Sequence, residues 1–405
     1  MQNLYEISNK LINRVKTGFK RSLYSEIDWQ QRLIEITGAR GVGKTTLMLQ
    51  KAKELFDKNP PAVIYISLDD TYFFNNSMIE TAEQFQKYGG KYMFIDEVHK
   101  YPAKHKTYDW SAELKNIYDR YPELSITYSG SSIIELYKGH GDLSRRKTSY
   151  KLNGMSFREY LEMNNTLKLP AITLQDVIDK NPVISADISD RVKILPHFRN
   201  YLSTGYYPFY NENPEQYNQR IKNIINVILE VDIPSIAEIN YDTTGKIKTM
   251  LAVLSTSVPY TPNLTKLSDS LQIGDIRTMY KYFYFLEKAE LITLLNSNAK
   301  ANKLFQKPEK IYLSNTNLIN AISPEKNETG TIRETFFLNQ LHYLHEINYP
   351  KKADFIINNK YTFEIGGKNK TEKQIKNIEN SYIVQDDIEI GFANKIPLWL
   401  FGFLY

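Results

Sequence analysis

Arg32-Leu33-Ile34-Glu35-Ile36-Thr37 alternates polar and apolar positions and is rich in β-branched residues, which predicts a strand. Three short apolar runs follow, VIYISL at 63–68, KYMFI at 91–95 and LSITYS at 124–129. Helical periodicity lies between them, as over 110–121. Strands alternating with helices predict a parallel α/β sheet, because parallel neighbours need a crossover connection. From about 155 to 245 the pattern turns mostly helical, with Pro170, Pro182, Pro196, Pro208 and Pro214 expected to break it. Short helices from 246 lead into a β-like stretch, AELITLL. A helix is expected from about 326, then strands at 353–357 (ADFII) and 361–365 (YTFEI). The apolar tail IPLWLFGFLY is too short to cross a bilayer and reads as a buried strand or an interface.

Composition narrows this picture modestly. A chain of 405 residues leads one to expect two to four domains. Apolar and charged shares of 42% and 24% suit a globular protein with real cores. There is no cysteine, so disulfides, zinc–thiolate sites and thiol nucleophiles are excluded. The segment MQNLYEISNKLINRVK lacks the apolar centre of a signal peptide, and the expectation is a cytoplasmic protein that makes no use of a membrane. A formal charge of +5 permits nucleic-acid binding without demanding it.

The sharpest chemistry lies between the first strand and the helix that begins near Thr46. GARGVGKT, residues 38–45, has glycine where the backbone must fold around a phosphate with no Cβ in the way. Gly38, Ala39, Arg40, Gly41, Val42, Gly43, Lys44, Thr45 and Thr46 are therefore candidate nucleotide-binding residues. Lys44 is suited to the β- and γ-phosphates and Thr45 to Mg²⁺. YMFIDE at 92–97 is the usual companion: Asp96 for the metal shell, Glu97 to take a proton from the attacking water. The next strand ends in TYSGSS, where Ser129 or Ser131 can sense the γ-phosphate, or a serine can simply cap a helix over Ile133–Leu136. Arg145 and Arg146 follow. Either can stabilise transition-state charge, in cis or from a neighbour, or be a solvated surface arginine.

GARGVGKTTLM, FIDEVHKYP, SGSS, DLSRR and LNGMSFREYLEM, in this order, resemble a family of prokaryotic, archaeal-type AAA ATPases over nearly the whole chain. The resemblance implies an α/β P-loop core that binds ATP and Mg²⁺, a helical lid, a winged helix and a C-terminal α/β domain like restriction endonucleases. The boundaries expected are 1–165, 166–245, 246–325 and 326–405. By position it would give Lys44 and Thr45 to the nucleotide, Asp96 and Glu97 to metal and water, and Arg145 or Arg146 the part of finger or sensor.

Two C-terminal constellations add candidate partners. Asn263–Leu271 reads as a short helix, Ile273-Gly274 as a turn and Asp275 as the cap of a longer helix. On that helix Ile276, Met279, Phe283 and Leu286 form a core face, and Arg277, Lys281, Tyr284 and Lys288 an opposite, basic one. A helix-turn-helix with such a face suits the major groove of double-stranded DNA, though the face can equally be solvated or pack on protein. Further on, Glu334, Asp354 and Glu364 with a nearby lysine are the parts of a metal-dependent nuclease. The family pattern Glu-x-Lys would put lysine at 366. This chain has Gly366, and Lys368 lies two positions on. Seven lysines against three acids over 351–376 offer a phosphate-binding surface. Three roles stay open: an ATP-dependent enzyme on DNA, a nucleotide switch that binds a protein partner, and an ATPase that depends on homo-oligomer assembly.

Overall fold

A computed structural model describes residues 1–102, 109–132, 142–237, 239–297, 306–324 and 328–405. The chain divides into two compact units, Met1–Asn153 and Gly154–Tyr405.

The first unit is a five-stranded parallel sheet in the order β2-β3-β4-β1-β5. Its strands are β1 (Leu33–Thr37), β2 (Val63–Ser67), β3 (Tyr92–Asp96), β4 (Ser125–Ser129) and β5 (Thr148–Lys151). Among the described residues its helices of ten or more residues are α1 (Gln2–Arg14), α2 (Lys44–Phe56), α3 (Met78–Lys87) and α4 (Trp110–Arg120). β1 to β4 are buried along nearly their whole length, as strands of a parallel sheet covered on both faces are. Ile64, Ile66, Met93, Ile95 and Ile126 pack with Phe73, Phe85 and Leu114 from the crossovers. Helix starts are set locally: Ser77 and Glu80 close a capping box on α3, and Asp109 caps α4. This is the P-loop NTPase fold. All strands run the same way, so Thr37, Asp96 and Ser129 reach one edge together.

The second unit begins with α5 (Phe157–Met163), α6 (Leu174–Arg191) and α7 (Ile194–Thr204). Pro182 does not break α6. Proline lacks the N–H that would meet the Ile178 carbonyl, and the Asn181 side chain donates to that oxygen instead, at 3.3 Å. Pro196 falls in the first turn of α7, where amides have no helical partner anyway. After α8 (Tyr217–Val227) and α9 (Tyr241–Ser255) come α10 (Leu264–Ser270) and α11 (Ile276–Lys288), then an antiparallel hairpin of β6 (Ile292–Leu295) and β7 (Lys310–Leu313). Two more helices, α12 (Thr316–Ile322) and α13 (Thr329–Leu341), precede a second sheet. Its strands are β8 (Ile347–Asn348), β9 (Phe355–Ile357), β10 (Tyr361–Gly366), β11 (Ser381–Gln385) and β12 (Lys395–Pro397), ordered β12-β11-β10-β9-β8. The apolar tail is buried: Trp399, Phe401 and Phe403 are each at most 1% exposed. Among the described residues no helix is long and apolar enough to cross a membrane.

Candidate nucleotide-binding site

The loop Gly38–Gly43 links β1 to α2, so its amides face the amino-terminal end of a helix, where anions are stabilised. Gly38, Gly41 and Gly43 have φ of 150°, 88° and 104°, values side chains disfavour. A Cβ on Gly38 would stand 2.2 Å from the Leu152 carbonyl oxygen, so the exit of β5 closes directly over the loop. Lys44 is 6% exposed, and its Nζ donates to the carbonyl oxygens of Gly38 (2.7 Å) and Ala39 (3.0 Å). Val42 is buried, while Thr45 and Thr46 face solvent.

Asp96 ends β3 and is 2% exposed. Its Oδ2 accepts from the Thr45 hydroxyl at 2.6 Å and from the Tyr65 hydroxyl at 2.7 Å. Its Oδ1 accepts from the Ser129 hydroxyl and from the Glu97 amide, the latter at 3.1 Å. Burial, then the negative charge of Asp96, holds the Tyr65 hydroxyl far above its ordinary pKa, so it stays a donor. Four donors fix one carboxylate, and Ser129 is thereby tied to Asp96. Ser131 is also buried; the helix expected at 133–136 lies outside the described residues. Glu97 has a left-handed backbone, φ 53°, a strained conformation of the kind that clusters at working sites. Its Oε2 lies 3.2 Å from Nε2 of His99, whose side chain is 1% exposed.

The structure does not bring the two arginines to this edge. Arg146 donates to both oxygens of Asp119 on α4, at 2.9 and 3.0 Å. Arg145 has an 85% exposed side chain, 3.7 Å from Asp142. Both precede Thr148, which pairs with Ile34 near the start of β1, away from the loop that follows Thr37.

Residues missed in the sequence complete the site. Tyr65 falls in the strand expected at 63–68 and His99 in the stretch FIDEVHKYP, and neither carries a signal of its own. Arg21, 6% exposed, donates to the carbonyl oxygens of Val42 (2.7 Å) and Asn153 (2.8 Å), from a segment that shows no motif in the sequence.

In the second unit Arg277 and Lys281 are exposed on α11, and Tyr284 and Lys288 half-buried beside them. Lys288 Nζ lies 5.8 Å from the Tyr284 ring centre. Asp275 caps the helix through the Arg277 amide at 2.9 Å. Ile276, expected in the core, is 46% exposed as the first helical residue.

Glu334 lies within α13 rather than at its start and accepts from Tyr312 (2.7 Å) and Lys310 (3.4 Å). Asp354 accepts from the Ile365 amide at 2.8 Å, yet burial and then the charge of Glu334 push its pKa up to about 6. Glu364 is 2% exposed and paired with Lys370, not Lys368, which is exposed. Gly366 explains this. A Cβ there would meet the Lys370 stem at 2.6–2.7 Å, so the missing side chain leaves the channel through which Lys370 reaches Glu364. Gln385 holds the loop by donating to the carbonyls of Lys368 and Lys370 at 3.0 and 3.1 Å. Among the described residues no three acidic or histidine side chains stand as a metal-binding group.

The parallel sheet, the glycine loop leading into a helix and the acidic strand tip define the first unit as a P-loop NTPase fold. Residues 30–161 match the family model of an AAA domain, and residues 195–329 that of a domain of unknown function. The chain is 25% identical over 419 aligned residues to an uncharacterised protein of Methanocaldococcus jannaschii, covering 94% of this chain and 86% of that one. Among solved structures it is similar to a Walker-type ATPase of Pyrococcus abyssi, at 13% identity and a TM-score of 0.38 over 77% of this chain and 99% of that one. It is also similar to the Aeropyrum pernix ORC1 protein in complex with DNA, at 12% identity and a TM-score of 0.30 over 80% and 91% of the two chains.

Proposed function

We propose that the chain binds and hydrolyses ATP with Mg²⁺, and that its nucleotide state controls binding by the second unit. The observation that carries this is the convergence of Lys44, Thr45, Asp96, Glu97 and Ser129 at one sheet edge. The loop amides and Lys44 hold the phosphates. The Thr45 hydroxyl and Asp96 carboxylate, 2.6 Å apart, are hard oxygen donors of the type Mg²⁺ takes, and the ion would offset phosphate charge there. Glu97 accepts the proton of the attacking water and Ser129 orients Asp96. Arg145 or Arg146 serves a neighbouring copy in a homo-oligomer. Double-stranded DNA is the partner proposed for the exposed Arg277–Lys281 face.

The test is ATP hydrolysis by wild type and Lys44→Ala, with and without duplex DNA, across a salt series. Turnover lost in Lys44→Ala, with stimulation by DNA that fades as salt rises, is the expected result. Turnover retained in Lys44→Ala overturns the site. A specific observation favours a second reading for the C-terminal sheet: Lys370 already neutralises Glu364 and no metal-binding trio forms among the described residues. On that reading the sheet is a degenerate nuclease fold that docks protein, and the chain acts as a nucleotide switch. DNA-insensitive turnover supports it.

A further inference from the structure

Arg21 belongs to a strap of chain laid against the phosphate loop. Gln50 of α2, 4% exposed, donates to the carbonyls of Lys16 and Phe19 at 2.9 and 2.8 Å. Glu54, one turn on, accepts from the Tyr24 hydroxyl at 2.5 Å. Between these fixed points the guanidinium of Arg21 reaches the Val42 carbonyl, inside the loop, and the Asn153 carbonyl, where the chain leaves the first unit.

The Val42 contact has a chemical consequence. A trans peptide is planar, with its C=O and N–H pointing opposite ways. Holding the Val42 oxygen outward on Arg21 therefore turns the Gly43 N–H inward, toward the concavity that Lys44 borders. Gly43, at φ 104°, has no side chain to hinder rotation of that peptide. A flipped peptide would put a carbonyl oxygen where a phosphate oxygen should bind. A charge-assisted hydrogen bond to a buried carbonyl is strong enough to decide between the two orientations.

We propose that Arg21 is a positioning residue for polyphosphate: it pre-organises the Val42–Gly43 peptide and ties that setting to Asn153. This rests on the nucleotide-binding reading above. The test uses the full chain with Mg²⁺, as wild type, Arg21→Ala, Arg21→Lys and Gln50→Ala. ATP and tripolyphosphate are titrated against each by calorimetry, with thermal melting to verify folding.

Arg21→Ala should weaken both ligands by the same factor, about ten- to a hundred-fold, the worth of one charged hydrogen bond. Arg21→Lys, whose single ammonium does not span both carbonyls, should fall between. Gln50→Ala loosens the strap without touching Val42 and should change affinity less than Arg21→Lys. Unchanged affinity in a folded Arg21→Ala or Arg21→Lys overturns the proposal. So does a loss for ATP with none for tripolyphosphate, because it would place Arg21 at the base and not at the phosphates. A wild type that binds neither ligand overturns the nucleotide reading itself.

Discussion

Replacing Lys370 by methionine keeps the aliphatic stem that runs over Gly366 and removes only the charge. Glu364, 2% exposed, then loses its cation, and its Oε2 already has no hydrogen-bond partner among the described residues. Stripping one partner from a fully buried pair costs about 3–5 kcal/mol. The Lys370 side chain is 29% exposed, so water screens part of the pair, and about 2–3 kcal/mol is the expected cost. For a unit of this size that lowers Tm by roughly 5–10 °C. Lys368→Met, on an exposed residue, should stay within about 0.5 kcal/mol of wild type. Urea melts in EDTA, with Glu364→Gln and the double variant, complete a thermodynamic cycle whose coupling should exceed about 1 kcal/mol. If Lys368→Met destabilises as much as Lys370→Met, or the coupling is below about 0.5 kcal/mol, the relocated lysine is wrong.

Glu97→Gln should keep ATP affinity near wild type while single-turnover hydrolysis falls at least about a hundred-fold, the usual worth of a general base; wild-type hydrolysis would point to a different base. Asp354, with a folded pKa of about 6 against 3.8 for the free group, holds its proton more tightly when folded, so stability falls as pH rises from about 4 through 6. Asp354→Asn should remove that slope and gain up to about 2–3 kcal/mol at pH 7 in chemical melts, and an unchanged slope would reject the burial argument. Arg277→Ala with Lys281→Ala should lower duplex affinity and flatten its log–log salt dependence by about 2, as read by fluorescence anisotropy; an unchanged slope removes α11 from any DNA contact.

Some of this architecture was legible in the sequence for identifiable reasons. β1 to β4 are buried, so their composition carries the signal. β5, Thr148–Lys151, alternates between half-buried and exposed at the sheet edge, and its TSYK composition looks like loop. Pro182 misled because the rescue of the Ile178 carbonyl by Asn181 is a side-chain event that periodicity cannot register. Lys368 stands two positions beyond the expected lysine, a spacing that keeps one face only along a strand, but β10 ends at Gly366 and strand parity means nothing beyond it. The contacts also assign residues 154–165 to the second unit, whereas the boundary was expected at 165. Ser156 and Arg158 of that segment donate to the main-chain oxygen of Tyr405, 2.7 and 3.0 Å away, a long-range contact with no local trace.

The position of the two arginines follows from strand direction alone. Arg32, just before β1, donates to the carbonyls of Tyr118 and Tyr121 at 2.9 and 3.3 Å, which pins the carboxyl end of α4 to the amino edge of the sheet. Asp119 lies in that stretch and holds Arg146 there. Five strand residues span about 16 Å, so the glycine loop after Thr37 lies beyond the reach of an arginine chelated at the opposite edge. Breaking the bidentate pair would not shorten that path. Arg145 differs: its side chain is 85% exposed on the same edge and lies 3.7 Å from Asp142. Within one chain the β1–β5 ladder holds the segment carrying both residues at the end of the sheet opposite the loop. Use by a second copy requires only that this edge meet another copy's loop, and that is the arrangement under which hydrolysis would depend on protein concentration.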